Sequence, residues 1–172
     1  MIEITTTRLR IRDHLPRDLE ELHRLRSDTH NLRFVEHMQS HSYEESQTKL
    51  QRSIEAAGEY PRTTWFFVAE LLQTDEFIGT IGFVTEPMDG GLLGGIGWFL
   101  LPEFQGKGYA TEAFLALIPR MFADWGVTLI DAGCDAANRA SERVMQKAGM
   151  TLVRRDGERL GYQLRKEDWE TP

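Results

Sequence analysis

Cysteine is almost absent from this sequence: Cys134 stands alone among 172 residues. A single thiol forms no bridge within a chain, so no disulfide framework staples the fold, and the expected compartment is a reducing cytosol. Its neighbours Leu129, Ile130 and Ala132 make Cys134 read as a buried small hydrophobe rather than a nucleophile. Long apolar runs are missing as well. No stretch approaches the roughly eighteen apolar residues of a membrane span, and the opening MIEITTTRLRIRD has neither the basic flank nor the apolar run of a secretion signal. A soluble, cytoplasmic protein with no membrane partner is the expectation. Positive charge is in deficit: 20 Lys and Arg face 27 Asp and Glu, a formal net charge of −7. A phosphate backbone recruits clustered cations, and here they are dispersed among more numerous carboxylates, so nucleic acid is not an expected partner.

What is present fits one domain spanning residues 1–172, large enough to bury roughly 70% of its unfolded surface in a single core. Thr7, Leu9 and Ile11 alternate with Arg8, Arg10 and Arg12, the period of a half-buried strand. Pro16 opens a helix carrying Leu19, Leu22 and Leu25, and Ser42-Tyr43-Glu44-Glu45 has the form of a capping box for a second helix ending near Gly58. Strands follow at Thr63 to Leu72, Glu76 to Thr85 and Gly95 to Leu101, which predict an antiparallel meander. The spacing of Tyr109, Ala113, Leu117 and Met121 predicts a helix continuing to Trp125, kinked at Pro119. A strand at Thr128 to Cys134, a helix from Asn138 to Ala148 closed by Gly149, and strands near Met150 to Arg154 and Arg159 to Leu164 complete the chain. This order predicts an α/β (α+β) protein with one mixed, mostly antiparallel sheet of six to seven strands and helices on both faces.

Between the strand at Gly95 and the helix at Tyr109 lies Gln105-Gly106-Lys107-Gly108-Tyr109-Ala110. Two glycines in four residues let several peptide N–H groups face one concavity at the positive end of the following helix, as a diphosphate requires. A Walker loop would need glycine where Leu101 stands and Ser or Thr where Gly108 stands. A dinucleotide fingerprint would need glycine at Leu100 or Thr111. What remains, Gln-x-x-Gly-x-Ala, resembles the loop of the GNAT acyltransferases, in which Arg or Gln, two residues, Gly, one residue, and Gly or Ala hold the pyrophosphate of acetyl-CoA.

The resemblance extends over nearly the whole chain and is strongest to the subgroup of the RimJ and RimL ribosomal-protein N-acetyltransferases. It is carried by Thr7-Arg8-Leu9-Arg10-Ile11-Arg12, by Gly97-Trp98-Phe99-Leu100 before Pro102, and by Thr111-Glu112-Ala113. Asn138-x-x-Ser141, Lys147-Ala148-Gly149-Met150 and Tyr162-Gln163-Leu164 followed by Trp169 continue it. It implies a GNAT fold and an acetyl-CoA-dependent N-acetyltransferase without a metal, acting as a monomer or homodimer on an amine acceptor, either a protein N-terminus or a small molecule. The implied cofactor residues are Phe99, Leu100, Leu101, Gln105, Gly106, Lys107, Gly108, Tyr109, Ala110, Thr111 and Asn138. Many members carry a tyrosine seven residues after this asparagine to protonate the leaving thiolate; Met145 stands there, and the subgroup's alternative places Ser141 near the sulfur.

Acetyl transfer needs a neutral amine, donors for the oxyanion and a proton for the thiolate. Gly94, Gly95 and Gly97 permit either a bulge that frees N–H groups near Phe99 to Leu101 or a simple twist. Asn138 and Ser141 also read as the cap and third residue of a helix start, and Lys107 as a solvated lysine. No base announces itself: Glu36, Glu86 and Asp135 lie in segments able to reach the cleft but read more readily as solvated carboxylates. At neutral pH an α-amine of pKa ~8 costs about 1.4 kcal/mol to deprotonate and a lysine of ~10.4 about 4.6, which tilts the reading toward α-amines. All five histidines lie between residues 14 and 41, and His37 with His41 has helical ligand spacing in a loop, too little for a metal site. That loop, with Arg33, Phe34 and Glu36, is expected to line the acceptor pocket. A non-catalytic acyl-CoA-binding module stays open as the alternative.

Overall fold

The computed structural model describes residues 1–29, 32–35 and 38–170. Its strands are β1 (Glu3–Thr5), β2 (Leu9–Asp13), β3 (Thr64–Leu71), β4 (Phe77–Met88), β5 (Gly91–Leu100), β6 (Val127–Asp135), β7 (Thr151–Asp156) and β8 (Arg159–Arg165). Its helices are α1 (Leu19–Ser27), α2 (Tyr43–Ala56), α3 (Tyr109–Ala123), α4 (Arg139–Lys147) and α5 (Lys166–Glu170). The strands form one eight-stranded sheet in the order β1-β2-β3-β4-β5-β6-β8-β7. Only β5 and β6 run parallel; the other neighbours are antiparallel. The fold class is the expected one with one strand more, because β1 is three residues long and too short to show a period.

Pairing residues share a face, so Ile11, Phe67, Ile81 and Trp98 point the same way, as do Trp65, Phe83 and Ile96. This face receives α3, with Phe114 against Trp98 at 5.4 Å between ring centroids. The other face carries Val68, Ile78 and Thr80, and α1 and α2 cover it with buried Leu22, Leu25 and Leu50. α3 runs through Pro119 and ends at Ala123, short of Trp125. The apolar period reaches Trp125 for another reason: its ring packs on Trp65 at 4.6 Å and Phe83 at 5.5 Å, in the core that α3 covers.

Ser42 caps α2 by accepting the Glu45 N–H at 3.2 Å, but the Glu45 carboxylate takes the N–H of His41 at 2.8 Å, one residue earlier than a regular capping box. Between α1 and the sheet, Arg12 is buried and forks onto Asp18 at 2.7 and 2.8 Å, while its Nε donates to Glu70 at 3.0 Å. Burial opposes the guanidinium charge, and the bonds to Asp18 and Glu70 overrule it and raise its pKa. This network fixes where α1 leaves β2, because Asp18 also accepts the Leu15 N–H at 2.7 Å.

Candidate functional site

β5 and β6 pair only from Leu92 with Val127 to Gly95 with Asp131. Beyond that point β5 stays with β4 and β6 with β8, so the two strands part. A cleft of about 370 Å³ opens in the gap. Gly94 lies where they still touch, and a Cβ there would meet Met121 Cε at 2.7 Å, so helix α3 sits close on the root of the fork and a larger residue would make Met121 shift. Ile96 and Trp98 belong to the α3 face, Gly97 and Phe99 to the opposite one; all four line the cleft, which therefore passes through the sheet.

The β4–β5 ladder keeps one register throughout, so of the bulge and the twist that Gly94, Gly95 and Gly97 permit no bulge shows against β4; the irregularity sits at Leu92/Leu93, on the side of β6. Leu101 donates its N–H to Ile78 at 3.0 Å, and the Phe99 carbonyl faces Gly79. By alternation the N–H groups of Ile96, Trp98 and Leu100 are the ones directed into the cleft. One expected cofactor residue, Leu101, does not fit this geometry. Leu101 is 1% exposed, lies off the cleft and spends its amide on β4. Phe99 lines the cleft with its side chain only. The Leu100 carbonyl accepts Gln105 Nε2 at 2.9 Å, which ties the loop to the strand end.

After a 3₁₀ turn at Pro102–Phe104 the loop adopts left-handed backbone at Gly106 (φ +73°) and Gly108 (φ +82°), the conformation for which glycine is needed. Among the described residues, no protein acceptor takes the N–H groups of residues 106–111. They stand at the N-terminus of α3, and Gly106, Gly108, Tyr109, Ala110 and Thr111 all border the cleft. The Lys107 side chain lies outside it, with the ammonium 5.5 Å from the Phe104 ring centroid. The Tyr109 ring packs beneath Arg8 at 4.5 Å.

α4 forms the facing wall. Asn138 caps it, its Oδ1 accepting the Ser141 N–H at 3.2 Å, and both residues line the cleft. Met145 is fully buried in the core and does not line the cleft, so that position presents nothing to it. Cys134 is buried and lines the cleft, and burial raises its thiol pKa. Asp135 borders the cleft and accepts the Ala137 N–H at 2.8 Å, whereas Glu86 is exposed and lies away from it. Arg33 and Phe34 line the far side, the guanidinium 4.6 Å over the ring; Glu36 and His37 lie outside the described residues.

Sequence reasoning missed the cations of this wall. Arg143 and Lys147, one turn apart on α4, join Arg159 of β8 around the opening. The i, i+4 spacing of Arg143 and Lys147 was a readable signal; Arg159 is brought in only by the pairing of β8 with β6.

The sequence profile of the family described as acetyltransferase (GNAT) domain matches residues 8–151. Among curated proteins, the uncharacterized N-acetyltransferase YnaD of Bacillus subtilis (strain 168) is 44% identical over 62 residues, 36% of this chain and 35% of that protein. The uncharacterized protein YkkB of the same organism is 33% identical over 84 residues, 49% of each chain. The chain thus spans between a third and a half of the length of the curated relatives it matches. Among solved structures, an acetyltransferase (GNAT family) from Bacillus anthracis superposes with a TM-score of 0.80 at 25% identity, covering 96% of this chain and 99% of that one. RimL, a ribosomal L7/L12 α-N-protein acetyltransferase solved with coenzyme A, shares the fold with a TM-score of 0.80 at 20% identity over 97% and 99% of the two chains.

Proposed function

This chain belongs to the acetyltransferase (GNAT) domain family, and from that membership we propose that it transfers an acetyl group from acetyl-CoA directly to a primary amine, both substrates bound together. The observation that carries the reading is the row of amides at residues 106–111, without protein acceptors among the described residues, at the N-terminus of α3 and on the cleft. Such a row suits a diphosphate, and Arg143, Lys147 and Arg159 suit the remaining phosphate charge of coenzyme A. The thioester supplies the activated acetyl group. N–H groups on the exposed edge of β5, at Ile96 and Trp98, supply hydrogen-bond donors where the acetyl oxygen gains charge.

Ser141 is the proposed proton donor to the thiolate: its hydroxyl borders the cleft and has no hydrogen-bond partner among the described residues. Asn138 positions it through the cap. Among the described residues lining the cleft Asp135 is the one carboxylate, and it is engaged by the Ala137 amide. The scarcity of bases supports an acceptor that loses its proton easily, an α-amine such as a protein N-terminus, with Arg33 and Phe34 at the acceptor side. The same scarcity supports a second reading, a non-catalytic acyl-CoA-binding module. Release of coenzyme A thiol from acetyl-CoA, followed with a panel of peptides, amino acids and polyamines, separates the two. Thiol release that depends on one acceptor class supports the enzyme, and release no faster than background with every class, despite tight acetyl-CoA binding, supports the binder.

A further inference from the structure

Arg8, in the link between β1 and β2, crosses to the cofactor loop and makes four kinds of contact there. Its Nε donates to Glu112 Oε2 at 2.6 Å, and its backbone N–H to Glu112 Oε1 at 2.9 Å. Its Nη1 donates to the Lys107 carbonyl at 3.2 Å, and its plane lies 4.5 Å over the Tyr109 ring. Thr6 adds its hydroxyl to Glu112 Oε1 at 2.6 Å and accepts the Leu9 N–H at 2.9 Å, so β2 is coupled to the first turn of α3.

We propose that Arg8 is a positioning residue for the diphosphate cradle, setting which way the amides of the glycine loop face and cancelling a carboxylate beneath the anion. The inference rests on reading the cleft as the acetyl-CoA site. The C=O of Lys107 and the N–H of Gly108 belong to one planar trans peptide and point in opposite directions. Anchoring that carbonyl on Arg8, outside the cleft, turns the Gly108 N–H the other way, and Gly108 borders the cleft. Without the anchor, left-handed glycines on both sides of Lys107 leave the peptide free to flip, and a carbonyl dipole facing a phosphate repels it.

The second effect is electrostatic. Glu112 sits in the first turn of α3, where it would compete with a bound anion for the helix N-terminus. Burial works against its charge, but the hydrogen bonds from Thr6 and Arg8 hold its pKa below the ordinary value, so it is ionised and needs the guanidinium. An exposed ion pair alone contributes little, and Arg8 is 45% exposed. The role comes from its fork, which holds a carboxylate and a carbonyl at once, and an ammonium cannot reproduce that.

The test measures binding of two thioesters to wild type and Arg8→Lys by calorimetry: acetyl-CoA, and S-acetylpantetheine, which lacks the diphosphate. The expected result is a loss of about tenfold in acetyl-CoA affinity, with S-acetylpantetheine affinity and turnover at saturating acetyl-CoA unchanged. If Arg8→Lys does not fold, Arg8→Gln, which cannot hold the carboxylate and the carbonyl at once, is measured in the same way and should lose acetyl-CoA affinity by at least as much, with S-acetylpantetheine affinity unchanged. Equal acetyl-CoA affinity in wild type and variant overturns the inference while leaving the site reading intact, as does a parallel loss for both thioesters. A wild type that binds no acetyl-CoA overturns the site reading itself, and this inference with it.

Discussion

Ser141 carries the most specific chemistry that a single residue here is asked to perform. Its backbone N–H belongs to the Asn138 cap, so replacing only the hydroxyl leaves the helix start in place. Ser141→Ala should therefore lower kcat by roughly a hundredfold while the acetyl-CoA Kd stays unchanged. Equal turnover would remove Ser141 from the mechanism. His14 offers a separate residue-scale test in the fold. It is buried, with Nδ1 lacking a partner, and burial lowers its pKa to about 4 from an ordinary 6.5, while Asp18 and Asp13 raise it and Arg26 and Arg12 lower it further. A depressed pKa means that the unfolded chain binds the proton first. The stability held by neutral His14 is thus complete above about pH 6.5 and is lost as pH falls toward about 4. That loss amounts to roughly 3 kcal/mol. Urea unfolding across this window should show His14→Phe losing less stability than wild type; identical slopes would contradict the assignment.

At the scale of elements, the Arg12 network joins β2, β3 and the start of α1. Arg12→Met leaves the Asp18 and Glu70 carboxylates buried without their shared cation, and should cost about 3–5 kcal/mol in chemical denaturation. A loss below about 1 kcal/mol would mean that the network does not hold these elements. Elements with long periods were legible before the structure: α3 from the row headed by Tyr109, α2 from Ser42, α4 from Asn138 and Gly149. β1 was not, since three residues carry no period, and β5 was read too short because Gly91, Gly94 and Gly95 hide its first half. The site divides in the same way. The glycine loop, Asn138 and Ser141 are contiguous motifs whose chemistry is local. Arg8 and Arg159 reach the site from separate elements through pairing and packing, which no spacing in the chain encodes, whereas Arg143 and Lys147 carry an i, i+4 signal. The outward N–H set of β5 depends on register: of the expected Phe99, Leu100 and Leu101, Leu100 turns its N–H to the cleft, Phe99 lines it, and Leu101 lies off it.

Over the whole molecule, the forked sheet does two things at once. It leaves the edge of β5 available to a ligand, and it opens a passage from the α3–α4 side, where the loop amides and cations lie, to the side of Arg33 and Phe34. Among the described residues lining that passage Asp135 is the one carboxylate, although the chain carries a net charge of −7. The fork thus concentrates cations at one place on an acidic protein, as an anionic substrate requires. No helix among the described residues is long and apolar enough to cross a membrane. The measurement that bears most directly on this account is calorimetric titration of the wild-type protein with acetyl-CoA, repeated in the presence of free coenzyme A. Saturable heat at one site per chain, displaced by coenzyme A and weakened by added salt, is the predicted result; no heat, or heat that coenzyme A fails to displace, would contradict it.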